Sequence, residues 1–187
     1  MHAHASQAGT ANVPTSVDWH QWLERWDVQQ TGYLPDREAR FTAMLDVLEV
    51  LLPATFVAVD LACGPGAISQ RLLTRFPQAR CIAVDLDPVL LTMGQSVLGT
   101  MDGRLRWVKA DLRMSTWRDQ LGETQVDAVL STTVLHWLAA EHLVRLYHTP
   151  PKKDIENHSQ YHHTIRIFPQ VAYASTESGR VRVQIIW

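Results

Sequence analysis

Little cysteine, little net charge and no long apolar run each remove a class of protein. Two cysteines among 187 residues cannot make a disulfide framework. Cys63 falls just after one predicted strand and Cys81 opens the next. In parallel neighbours those ends lie a strand length apart, roughly 17 Å for five residues, too far for a disulfide. Reduced thiols are expected, and a cytoplasmic setting with them. A formal charge of -2 leaves no electrostatic footprint for nucleic acid and no basic patch for an anionic membrane. Neither partner is expected. No apolar stretch approaches membrane-spanning length. Residues 1–17 lack the apolar core of a secretory signal and read as a disordered leader.

What is present is a globular balance, 46% hydrophobic and 19% charged, at a length suited to one domain. We assign that domain to residues 18–147 and treat 148–187 as an atypical tail. Trp19, Trp22 and Trp26 recur at helical spacing. Such a stripe is expected to pack on the core; the alternative is a lid whose aromatics wall off a substrate. Pro35 suits the first position of a second helix, 35–52, with Phe41, Met44, Leu45, Leu48, Leu51 and Leu52 on one side. Pro53 stops it.

From Thr55 the texture changes to short apolar strands alternating with helices. Strands are predicted at 55–61, 81–84, 104–110 and 126–130. Helices are predicted at 67–75, 89–98 and 139–147, with Asp87-Pro88 as a cap and first-turn proline. This alternation means parallel βαβ units in an α/β, doubly wound sheet covered on both faces. In such a sheet ligands bind beyond the carboxyl ends of the strands.

Those ends carry the chemistry. The first is Asp60-Leu61-Ala62-Cys63-Gly64-Pro65-Gly66. Gly64 and Gly66 let the backbone approach a ligand closely, and the next helix offers unpaired N–H groups. A dinucleotide site would want a third glycine three residues on, where Ser69 stands. Asp60 would repel a pyrophosphate but not a cationic amino group. The second strand ends in Asp85-Leu86, where a carboxylate can accept both hydroxyls of a ribose. The third ends in Asp111-Leu112, an acceptor for an exocyclic amine beside an apolar ring contact. The fourth ends in Ser131-Thr132-Thr133, small hydroxyls where a reacting group would sit. His136 follows. A lone histidine is ordinarily structural; near a reacting centre it is the candidate general base. Asp127 reads as a solvated residue at a strand start and Cys63 as a small packing residue. The tail histidines, His148, His158, His162 and His163, make no convergent ligand set, and no metal is expected.

Acid plus glycine, acid, acid and hydroxyls at four successive strand ends resemble the class I S-adenosylmethionine (SAM)-dependent methyltransferases. The resemblance covers about residues 18–147. It implies a glycine loop at Asp60, Ala62, Cys63, Gly64 and Gly66, and ribose and adenine contacts at Asp85 and Leu86. It also implies an adenine-amine acid at Asp111 beside Leu112, a contact at Ser131, and lid helices around Trp26-Asp27 and Tyr33–Arg37. The implied reaction is transfer of a methyl group from SAM to a small-molecule acceptor. The acceptor and the oligomeric state are unknown from sequence. The competing readings are a catalytically inactive or truncated SAM-binding domain and a nucleotide-cofactor oxidoreductase. Ala62 stands where the family most often has glycine.

The tail departs further. The family normally continues into a fifth parallel strand, another helix and a closing hairpin. Here Pro150-Pro151-Lys152-Lys153 breaks the helix, a polar stretch follows, and 164–175 and 180–187 read as two strands around a turn. Of two readings, a hairpin covering strand four or a poorly packing C-terminus, the second is expected. It leaves strand order 3-2-1-4 with strand four as an open edge. Cofactor binding at best moderate, methyl transfer weak or absent and low solubility would follow.

Overall fold

A computed structural model describes residues 16–122, 125–132, 138, 139, 141, 142, 162–167, 170–177 and 180–186. In the last three of these segments, side chains are described at residues 183–185 alone. Residues 1–15 of the leader expected over 1–17 and most of the helix expected over 139–147 lie outside the described residues.

Two helices come first, α1 (Trp19–Tyr33) and α2 (Arg37–Leu51). The alternating series follows as β1 (Val57–Leu61), α3 (Ala67–Arg75), β2 (Arg80–Asp85), α4 (Pro88–Leu98), β3 (Leu105–Lys109) and β4 (Ala128–Ser131). A 3-10 helix, Ser115–Leu121, precedes β4; its Trp117 and Leu121 are buried, and the sequence reading missed it. Helix α2 begins after Pro35, which sits in the preceding turn. Asp87 caps α4 as expected, accepting from the Val89 and Leu90 N–H groups.

The sheet order is β3-β2-β1-β4-β7-β6-β5, with β5 at His162–Ile167, β6 at Gln170–Glu177 and β7 at Arg180–Ile186. The first four strands are parallel, in the expected 3-2-1-4 order. Alternate residues feed two cores. Ala58, Leu72, Phe41 and Leu48 lie in one, while Val57, Val59, Leu61, Ile82 and Trp117 lie in the other. Both faces of the sheet are therefore covered, which is why its strands are almost wholly apolar.

The expectation for the tail is corrected. Strand β7 pairs parallel with β4, Ala128 opposite Val183 and Leu130 opposite Ile185. Val183 and Ile185 are buried in the first core. Strand four is thus an interior strand, and the slot of the family's fifth parallel strand is filled by β7. Strands β6 and β5 extend the sheet antiparallel beyond it. Asp127 is corrected too. It is buried, not solvated, and its carboxylate accepts from the Val57 N–H at 2.9 Å. Its carbonyl accepts from the Val183 N–H at 2.8 Å, so one residue ties together the starts of β1 and β4 and the middle of β7.

Candidate cofactor site

The site forms at the carboxyl ends of β1, β2, β3 and β4, where the order reverses between β1 and β4. After Leu61 the chain turns through three residues with positive φ: Ala62 (55°), Gly64 (55°) and Gly66 (87°). For a residue with a Cβ this region costs roughly 1–2 kcal/mol, so Ala62 carries strain where the family most often has glycine. The loop is held from three sides. The Cys63 N–H donates to the Val84 carbonyl, the Gly66 N–H to the Cys63 carbonyl, and the Gly64 N–H to Asp85 Oδ2 at 2.8 Å.

Asp85 is thereby fixed. Its other oxygen, Oδ1, accepts from the Asp87 N–H at 2.8 Å. Each oxygen retains a lone-pair direction, so the carboxylate can still accept two hydroxyls. Beside it Leu86 is 48% exposed, an apolar surface facing open space. This donor and acceptor set fits an adenosyl group.

Asp60 has a different neighbourhood from the one anticipated. It is buried beneath the loop, and its Oδ2 accepts from the Ser69 hydroxyl (2.8 Å) and the Ser69 N–H (3.2 Å). Gly66 stands at the cap position of α3 without a side chain to offer. Asp60 supplies that cap from the strand, bonding an otherwise unpaired N–H of the first turn. Burial pushes its pKa up to about 6, against the lowering effect of the Ser69 bonds; the nearby charge of Asp85 adds to the rise. Cys63 packs against the loop and Cys81 against Ser69. Burial pushes both thiols up, so neither is an activated nucleophile.

At the end of β3, Asp111 is engaged by its own neighbour. Arg113 Nε and Nη2 and the Arg113 N–H all donate to its carboxylate. The guanidinium holds the Asp111 carboxyl below the usual carboxylate range. Leu112 packs against the second core. At the end of β4 the Ser131 hydroxyl is buried without a hydrogen-bond partner among the described residues. Such a group costs about 1–3 kcal/mol until something bonds it. His136 lies outside the described residues.

The tryptophan stripe was expected to pack on the core and does not; Trp26 alone of the three is placed against the loop. No residue of α1 is buried, and Trp22 is 49% exposed. Trp26 Cζ2 and Leu90 Cδ1 lie 3.8 and 4.0 Å from where a Cβ on Gly64 would stand. An Asp27–Arg37 ion pair of 2.9 Å joins α1 to α2. Trp107 also escaped the sequence reading. Its ring fills the space left by Gly66 and Gly94; a Cβ at Gly94 would meet it at 2.4 Å and the Pro65 carbonyl at 2.7 Å. A glycine inside a helix beside a tryptophan strand was the available signal.

Residues 58–149 match the family profile described as a methyltransferase domain. They form a class I SAM-dependent methyltransferase domain. SAM is the cofactor of that class, and the oxidoreductase alternative falls away. The chain is similar to the trans-aconitate 2-methyltransferase of Azoarcus sp. (strain BH72), 35% identical over 117 residues, 62% of this chain and 42% of that protein. The trans-aconitate 2-methyltransferase of Methylobacterium radiotolerans is 34% identical over 113 residues, 60% and 40% of the two chains. The methyltransferase domain chain thus spans about two-fifths of the length of these curated relatives. Among solved structures, an O-methyltransferase family protein from Burkholderia thailandensis aligns with 71% of this chain and 50% of its own, at TM-score 0.44 and 22% identity. No helix among the described residues is long and apolar enough to cross a membrane.

Proposed function

We propose that this methyltransferase transfers the methyl group of SAM to a small organic acid in the cytoplasm. The observation that carries the cofactor half of this reading is Asp85, oriented by the Gly64 and Asp87 N–H groups with lone pairs to spare. The acceptor class is suggested by the relatives, whose names specify trans-aconitate. The cytoplasmic setting is suggested by two buried free thiols.

Asp85 accepts the ribose hydroxyls, Leu86 and Leu112 flank the adenine, and Asp111 accepts its amine. Ala62, Cys63, Gly64 and Gly66 bring the backbone against the remainder of the cofactor, with Asp60 fixing the loop from beneath. Bound SAM supplies a methyl on a sulfonium centre, and the protein's share is orientation and water exclusion. Trp26 above Gly64 suits exclusion of water. Ser131 lies at the acceptor side, its hydroxyl without a partner among the described residues. His136 is the candidate base. A carboxylate acceptor has no proton to lose, so His136 would serve as a base only for a hydroxyl or amine acceptor.

Labelled SAM offered with a panel of small di- and tricarboxylic acids tests the reading. Label transfer to a carboxylic acid is expected. Asp85→Ala should weaken S-adenosylhomocysteine binding, each charge-assisted hydrogen bond contributing roughly 1.5–3 kcal/mol. Full affinity in a folded Asp85→Ala protein would show that the ribose is held elsewhere.

A further inference from the structure

The Asp111 carboxylate is engaged by Arg113 in a way the cofactor reading does not require. Arg113 donates from Nε to Oδ1 at 2.9 Å and to Oδ2 at 3.1 Å, and from Nη2 to Oδ2 at 2.6 Å. The Arg113 N–H adds a bond to Oδ1 at 3.0 Å. These four contacts come from three N–H groups, the Nε–H being shared between the two oxygens, so about three of the carboxylate's four lone-pair directions are taken. The guanidinium spans both oxygens, so an amine approaching from its side must displace it. We propose that Arg113 is a resident competitor for Asp111, so that docking of the adenine amine exchanges a guanidinium for the amine. This rests on Asp111 being the adenine acid of the proposed cofactor site.

The geometry makes the exchange cheap and orderly. The Arg113 side chain is 54% exposed and that of Asp111 23%, so the guanidinium can withdraw directly into water. The backbone bond from Arg113 to Oδ1 does not depend on the side chain. It keeps the carboxylate aimed after the guanidinium has left. A ligand without the amine leaves the ion pair in place, so Asp111 is never stranded. Arg113 therefore lowers affinity for every adenosyl ligand and softens discrimination against ligands lacking the amine.

Calorimetric titration of the full chain tests this with two ligands, S-adenosylhomocysteine and its analogue bearing hydrogen in place of the adenine amine. The proteins are wild type, Arg113→Met and Arg113→Lys. Arg113→Met should bind S-adenosylhomocysteine about two- to fivefold more tightly, the range expected for removing an exposed ion pair that binding must break. The affinity ratio between the two ligands should widen in Arg113→Met, and Arg113→Lys should fall between. Added salt should narrow the gap between wild type and Arg113→Met, because it screens the pair. Equal or weaker binding by a folded Arg113→Met protein, with wild type binding normally, overturns the exchange alone. No binding by either protein overturns the cofactor site, and the exchange with it.

Discussion

The sheet has two halves built on opposite principles. From β3 to β4 every neighbour is parallel and every connection crosses a face of the sheet. From β7 to β5 the strands form an antiparallel meander joined to the rest by the single parallel ladder between β4 and β7. The first half holds all the described residues proposed to contact the cofactor; the second closes an edge. The contrast teaches that chemistry and closure are separable tasks. A strand end can carry a carboxylate whatever lies two strands away, yet the sheet is stable only when its inner edge is covered.

The sharpest way to break this comparison is to compare equal core truncations on the two sides. Ile185→Ala in β7 and Leu72→Ala in α3 each remove a fully buried side chain. Each should cost about 2–5 kcal/mol in urea unfolding monitored by circular dichroism. If Ile185→Ala costs nothing while Leu72→Ala costs the full amount, the meander is an appendage rather than part of the fold.

Next in size is a pH effect confined to the first half. Asp60 has its pKa raised by burial from 3.8 to about 6. The folded state therefore binds this proton more tightly than the unfolded state. The associated stability is fully present below about pH 4 and is lost as pH rises through 6, a change of about 3 kcal/mol. Asp60→Asn should be more stable than wild type at pH 7.5, with the difference shrinking toward zero near pH 4. A gap that stays constant with pH would assign the Asp60 effect to packing rather than to its charge.

The smallest effect concerns Ala62. Glycine there should relieve the cost of its positive φ, less the added backbone entropy of the unfolded chain, a net gain of up to about 1 kcal/mol. A fall in melting temperature for Ala62→Gly would mean that its methyl group packs usefully.

What was legible in the sequence follows the same division. Asp60, Asp85 and Asp111 could be placed at or within two residues of strand ends, and the Gly64–Gly66 turn after the first of them, because each short apolar run breaks there. The partners of those residues were less visible. Ser69 takes up Asp60 only once α3 is docked, and Arg113 closes on Asp111 only in the local turn that follows β3. The tryptophan stripe of α1 has the same spacing whether it covers a core or a loop. Residues 180–187 read as a strand, but nothing local says which strand they join. That choice is made by the open side of β4, far back in the chain, and by Asp127, whose carbonyl receives Val183.

The placement of β4 also has a kinetic consequence. Its neighbours are β1 on one side and β7 on the other, and neither is reached by a tight turn. Two long loop closures must therefore precede full pairing of its four residues. Until both occur, Ala128–Ser131 is an apolar segment with an unsatisfied ladder, open to the same segment in another molecule. Refolding yield should accordingly be governed by protein concentration, with dilution favouring the correct neighbour.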